Sequence, residues 1–259
     1  MIVSRREFVS LASVAAGTLA SVTSVLGADS SLRSQIKAIA FDAFVIFDPR
    51  PAFAIAEELF PRNGTLVGED GLLFAANKLK LELSPEKLDR LMNAYLELNA
   101  WPDVVSTLIS LRKTGFRLAL LSNFTRTMLE ANIKRARLDG FFDHVLSTDQ
   151  ARTYKPDPRA YQLGIDALKL TREEILFAAF AGWDAAGAKL FGFPTFWVNR
   201  QKLPPEERGF QLAQSWYESC RFTRREGEGI RGSSAKGLSN MLRTKCAKES
   251  RWDLHSPKN

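Results

Sequence analysis

The chain has 259 residues, 25% charged and 45% hydrophobic, a balance that excludes a disordered tract, a collagen-like fibre and a polytopic membrane protein. Lys and Arg number 36 against 29 Asp and Glu, a net charge of +7, but the excess sits at the two ends. Residues 217–259 hold ten basic and five acidic side chains and residues 1–27 hold two and one, so the body between them is close to neutral and gives no reason to expect a nucleic-acid partner.

At the amino terminus, Arg5 and Arg6 precede a run from Val9 to Leu26 built from Ala, Val, Leu, Ser, Thr and Gly. So many small and hydroxylated residues make a poor membrane-spanning helix. Paired arginines before such a run resemble a twin-arginine export signal with cleavage near Gly27 or Ala28. An uncleaved anchor and a chance basic end are the alternatives. The export reading implies the export machinery as a partner, a periplasmic location, and residues 1–28 outside the fold.

Residues 35–41 form a short apolar run ending at Asp42, as a buried strand does. A helical period covers 52–59. Amphipathic stretches cover 72–81 and 84–98, the second opened by Ser84 as N-cap and Pro85 at the first helical position. A helix over 104–113 stops at Gly115, and a strand follows over 116–122. Helix 128–137 ends at Asp139 and Gly140. Strand 144–147, helix 159–168, strand 175–179, helix 185–191 closed by Gly192, and strand 195–198 complete the series.

Strands and helices alternating at these lengths predict an α/β fold, a doubly wound parallel sheet covered on both faces. The helical block 50–100 interrupts the rhythm and reads as a small inserted cap between the core segments 34–49 and 101–213. Residues 214–259 lack a period and read as a basic, disordered tail. The two cysteines, Cys220 and Cys246, fall in that tail. In an oxidising compartment they could pair, and neither has neighbours suggesting a nucleophile or a metal site.

In open parallel sheets, chemistry gathers beyond the carboxyl ends of the strands. There the chain places Asp42 after the first strand, Ser122 and Asn123 after the second, Lys155 in the turn after the third and Asp184 after the fourth. A carboxylate, a hydroxyl, an amine and a second carboxylate would converge. The stretches IAFDAF at 39–44, LALLSN at 118–123, YKPDPRAY at 154–161 and WDAAGAKLFGFPTFWVNR at 183–200 carry a resemblance to the haloacid dehalogenase superfamily. Within it the chain is most similar to the 2-haloacid dehalogenase (type II) group, over about residues 36–200.

The resemblance implies covalent catalysis in two steps. Asp42 would displace halide from C2 of a short 2-halo carboxylic acid, and water would then hydrolyse the aspartyl ester to an inverted 2-hydroxy acid. Lys155 would keep Asp42 ionised, and Asp184 would orient Lys155 and the water. Ser122 would hold the substrate carboxylate. Asn123 and Trp183 match positions facing the halide, and Tyr161 matches a supporting tyrosine. Phe44 stands where phosphatase relatives carry the Asp that protonates a leaving alkoxide; a halide needs no proton. With Asp184 the nearest acid after the fourth strand, no metal site and no cofactor are expected.

The chain departs from the family pattern in several places. Val45 and Ile46 replace the turn that carries a Thr in relatives. Ala179 and Ala181 replace the Ser and Asn that help position the hydrolytic water. The cap is short, and Arg62, in a turn, does not match the family's halide-binding arginine. The tail diverges after about residue 214. Two further readings therefore stay open beside the dehalogenase: a non-catalytic member that binds a small anion, and a phosphatase-type hydrolase. Relatives often pair through their helices, so a homodimer is a further expectation.

Overall fold

Ala38–Phe41 (β1) carries no polar side chain, and all four residues are buried, as a strand covered on both faces requires. In the computed structural model, which describes residues 18–59 and 84–203, β1 is the middle strand of a five-stranded parallel sheet. The order is β3-β2-β1-β4-β5, with β2 at Arg117–Ser122, β3 at His144–Ser147, β4 at Ile175–Ala179 and β5 at Thr195–Trp197. The register sets Phe41 beside Leu120 on one side and Ala178 on the other. Asp42, Ser122 and the residues after Ala179 therefore leave the sheet along one edge. The expected doubly wound α/β architecture is borne out.

The helices in chain order are α1 (Ala20–Ala28), α2 (Ser30–Gln35), α3 (Ala43–Ile46), α4 (Arg50–Leu59), α5 (Pro85–Leu96), α6 (Val104–Lys113), α7 (Arg126–Arg135), α8 (Pro158–Leu168) and α9 (Gly182–Phe191). The two-residue period of the strands sorts the core into two layers. Ile39, Phe41, Leu118 and Leu120 face a cluster that includes Val22, Leu91, Tyr95, Leu108 and Leu129. Ala38, Ala40 and Ala119 face the other way, where their small side chains leave room for Tyr161, Phe177, Phe191 and Phe193.

Four elements differ from expectation. Helix α2 was not predicted and takes Gln35 from the expected strand. Helix α3 is a single turn, too short to show a period. Helix α9 begins at Gly182, three residues before the predicted start, and so takes Trp183 and Asp184 into its first turn. Residues 20–28, assigned by sequence to the export leader, form α1 and pack on α6, with Leu19, Val22 and Leu26 buried at helical spacing. The Leu19 N–H donates to Asp103 Oδ2 at 2.7 Å.

In the block 50–100, Ser84 caps α5 as predicted, its Oγ accepting from the Lys87 N–H. Helices α4 and α5 pack together, and Arg90 makes two 2.9 Å bonds to Glu58. The expected helix at 72–81, Arg62, both cysteines, the tail from 214, and Arg5 and Arg6 lie outside the described residues. Among the described residues no helix is long and apolar enough to cross a membrane.

Candidate active site

Asp42 follows β1 and caps α3. Its backbone is extended and its Oδ2 accepts from the Phe44 N–H at 3.0 Å. Its other oxygen, Oδ1, accepts from Lys155 Nζ at 2.7 Å, and the same ammonium donates to Asp184 Oδ2 at 2.6 Å. Tyr161 on α8 donates its hydroxyl to Asp184 Oδ1 at 2.8 Å. Four residues remote in sequence thus form one chain of charge-assisted bonds: Asp42, Lys155, Asp184 and Tyr161.

Backbone close approach makes this possible. A Cβ on Gly187 would lie 2.6 Å from Pro156 Cβ and 2.7 Å from the Tyr161 hydroxyl. Only a glycine lets α9 sit against the Lys155–Pro156 loop, one turn beyond Asp184. Asp184 is not the helix cap, since Ala181 holds that place without a side-chain bond. Its carboxylate points instead into the ammonium.

Burial distinguishes the two carboxylates. The side chains of Lys155 and Asp184 retain 1% and 2% of their exposure, whereas Asp42 retains 13%. A substrate can therefore meet Asp42, while Asp184 is sealed behind the lysine. Burial pushes Asp184 up to about 6, and the Asp42 charge adds to this; the Lys155 charge and bond and the Tyr161 bond oppose it. Burial would lower the Lys155 ammonium, but the two carboxylates overcome it and raise its pKa. Burial and the Asp184 charge hold the Tyr161 hydroxyl far above its ordinary range. The cluster thus holds a fixed ammonium beside one accessible carboxylate and one buried carboxyl poised near neutrality.

The remaining predicted residues take distinct places. Ser122 is buried at the end of β2, its Oγ accepting from the Phe124 N–H at 3.1 Å, which leaves its own proton to donate. Asn123 is committed to the Lys155 loop: its Oδ1 accepts from the Lys155 N–H at 2.8 Å, and its carboxamide also bonds the Lys155 carbonyl and Thr148. In this geometry it holds the lysine. Trp183 is half-buried beside Asp184. The Phe44 ring meets Phe53, Phe124 and Phe180 edge-on, at centroid distances of 5.4, 5.2 and 5.6 Å.

Phe124 and Phe180 are absent from the sequence-predicted set. Each lies one or two residues beyond a strand end, and the rule that selected Ser122 would have found them had it included apolar residues. Together the rings make an apolar wall at the mouth of the sheet. Among the described residues no three His, Cys, Asp or Glu side chains are grouped to hold a metal ion.

The model of the haloacid dehalogenase-like hydrolases matches residues 55–192. The chain is 36% identical over 202 residues to the (S)-2-haloacid dehalogenase of Pseudomonas sp. strain YL, covering 67% of this chain and 87% of that one. This chain belongs to the haloacid dehalogenase family. Among solved structures, the L-2-haloacid dehalogenase RSc1362 matches with a TM-score of 0.59 at 35% identity, over 70% of this chain and 99% of that one. The L-2-haloacid dehalogenase of Xanthobacter autotrophicus with chloropropionic acid covalently bound matches with a TM-score of 0.53 at 29% identity, over 62% and 76%. Membership in the family and in its 2-haloacid dehalogenase group, expected from the four sequence stretches, is borne out.

Proposed function

We propose that this family member hydrolyses short (S)-2-haloalkanoic acids to 2-hydroxy acids through an ester on Asp42. One observation carries the reading: of two carboxylates sharing the Lys155 ammonium, only Asp42 has open surface. Both its oxygens are held, one by Lys155 and one by the Phe44 N–H, so the nucleophile is preoriented. In the first step an Asp42 oxygen forms a bond to C2 from the side opposite the halogen, and halide leaves with the bonding pair. Lys155 balances the charge that remains.

In the second step water adds to the Asp42 ester carbonyl. The acyl–oxygen bond breaks, the 2-hydroxy acid departs, and one proton is released. Asp184, with its pKa near 6, is matched to take up that proton; being closed off, it receives it through the Lys155 ammonium, which gives one proton to Asp184 and recovers one from the water. Ser122, with a hydroxyl proton to donate, suits the substrate carboxylate. The phenylalanine wall suits the alkyl portion and the halogen. Neither Ala179 nor Ala181 offers a side-chain oxygen or nitrogen, so the water relies on the Asp184 cluster and backbone groups.

The proposal extends to location. Arg5, Arg6 and the following apolar run support export to the periplasm, and processing at Gly27 or Ala28 would first have to free α1 from α6.

The test is halide release from (S)-2-chloropropanoate in the presence of a metal chelator. Chloride and 2-hydroxypropanoate should form in equal amounts, and Asp42→Asn should release none. In a single turnover in heavy-oxygen water, the label should enter Asp42 before the product. A stable adduct on Asp42 without turnover would mean that displacement works and hydrolysis fails, which would overturn the second step. Neither halide nor adduct, or cleavage of a phosphate ester that requires Mg²⁺, would overturn the proposal.

A further inference from the structure

The turn behind the nucleophile presents an accounting problem. Residues 43–46 form one helical turn whose side chains, Ala43, Phe44, Val45 and Ile46, carry no polar atom. A single turn leaves most of its own carbonyls without intrahelical partners, and buried carbonyls need them. The Asp42 carbonyl accepts from Val45 N–H at 3.1 Å, and that of Ala43 from Phe47 N–H at 2.8 Å. The next three are satisfied from outside. Trp101 Nε1 donates to the Phe44 carbonyl, Arg200 Nη2 to that of Val45 and the Trp101 N–H to that of Ile46, each at 3.0 Å.

These two residues also hold each other. The Arg200 guanidinium lies 4.6 Å from the Trp101 ring centroid and that of Arg50 lies 4.8 Å from it. Arg200 Nη1 is 3.0 Å from Asp103 Oδ1, the Arg200 side chain is 6% exposed, and its Nε has no hydrogen-bond partner. Burying a guanidinium this incompletely satisfied is costly, and an apolar side chain would fill the same space more cheaply. What the arginine supplies is a rigid planar donor aimed at a carbonyl.

We infer that Trp101 and Arg200 are positioning residues for the nucleophile: by clamping three successive carbonyls of α3, they fix the Phe44 N–H that orients Asp42 Oδ2. The inference rests on the reading of Asp42 as nucleophile. Neither residue hydrogen-bonds to Asp42, Lys155 or Asp184, so their influence passes through the turn.

Trp101→Phe removes Nε1–H while keeping an aromatic ring at that place and the backbone bond to Ile46. Arg200→Lys keeps the charge beside Asp103 and loses the fork. Arg200→Met loses both. In halide release, Trp101→Phe and Arg200→Met should lower kcat by about 10- to 100-fold, as a small misplacement of a reacting group does. KM should change little and the acid limb of the pH profile should not move, while Arg200→Lys should fall between. The Phe44 amide should exchange with deuterium faster in each variant, read by NMR on folded protein.

A packing role alone would lower the melting temperature and leave kcat and the Phe44 amide of the folded protein unchanged; that result would overturn the inference. Should Arg200→Met fail to fold, Trp101→Phe decides. Should the wild-type chain release no halide, the reading of Asp42 fails on its own, and Phe44 amide exchange still decides whether the clamp exists.

Discussion

Replacing Lys155 by Met keeps an unbranched apolar stem, one atom shorter, and removes the charge from between two carboxylates. The facing oxygens of Asp42 and Asp184 are bonded to one Nζ at 2.7 and 2.6 Å, so they stand within about 5.3 Å of each other. Their repulsion already contributes to the raised Asp184 value; what the variant loses is the opposing attraction of the ammonium 2.6 Å away, which at an effective dielectric constant of about 20 is at least roughly 3 kcal/mol, or about two pH units of titration. Asp184, already near 6, should take up the proton first, and the acid limb of kcat/KM should move from near 6 to about 8. Turnover at neutral pH should fall about 100- to 1,000-fold, the usual loss for a preorganised donor at a reacting charge.

Stability should follow the same titration. A carboxylate whose folded pKa lies above its unfolded value binds more protons folded than unfolded. Its variant is therefore most stable at low pH and loses stability as pH rises through the folded value. Chloride release and thermal melts from about pH 5 to about pH 9 measure both effects. Salt should change neither much, because the group is buried. If Lys155→Met kept the wild-type acid limb and turned over within about threefold of wild type, the shared-ammonium account of the site would be wrong.

The wild-type acid limb itself should lie near 6, set by the cluster through Asp184, and Tyr161→Phe should raise it, because the 2.8 Å bond that favours the ionised carboxylate is lost. A limb near the ordinary carboxylate range would contradict that origin. Gly187→Ala places a methyl 2.6 Å from Pro156 Cβ, and urea denaturation should register a loss of about 1–3 kcal/mol with reduced turnover. Equal stability would mean that α9 is not pressed against the lysine loop. Val22→Asp in the full chain should lower the melting temperature by several degrees through a buried unpaired charge, whereas Ala20→Asp on the exposed side of α1 should not. Identical melts for the two would show that α1 is undocked in solution.

Local sequence determined the sheet and the order of the polar groups around it. Strands 144–147 and 175–179 match their predicted bounds, because an apolar run between turn residues has one low-energy use in a chain that must bury it. Asp42, Ser122 and Asp184 were legible because each polar residue lies at or shortly beyond the carboxyl end of a strand, where the backbone emerges from the core. The four-residue α3 was not legible, since no periodic pattern fits in one turn.

Tertiary structure alone decided which carboxylate is open, and so which one can react. It also decided that Asn123 braces Lys155, that a glycine three residues beyond Asp184 admits the lysine loop, and that Trp101 and Arg200 converge on one turn from positions separated by most of the fold. These are distances between segments, and a linear pattern carries no distance until the sheet register brings the segments together. Burial, which raises Asp184 and sets its role, belongs to the same class: it is a property of what packs around a residue, not of the residue itself.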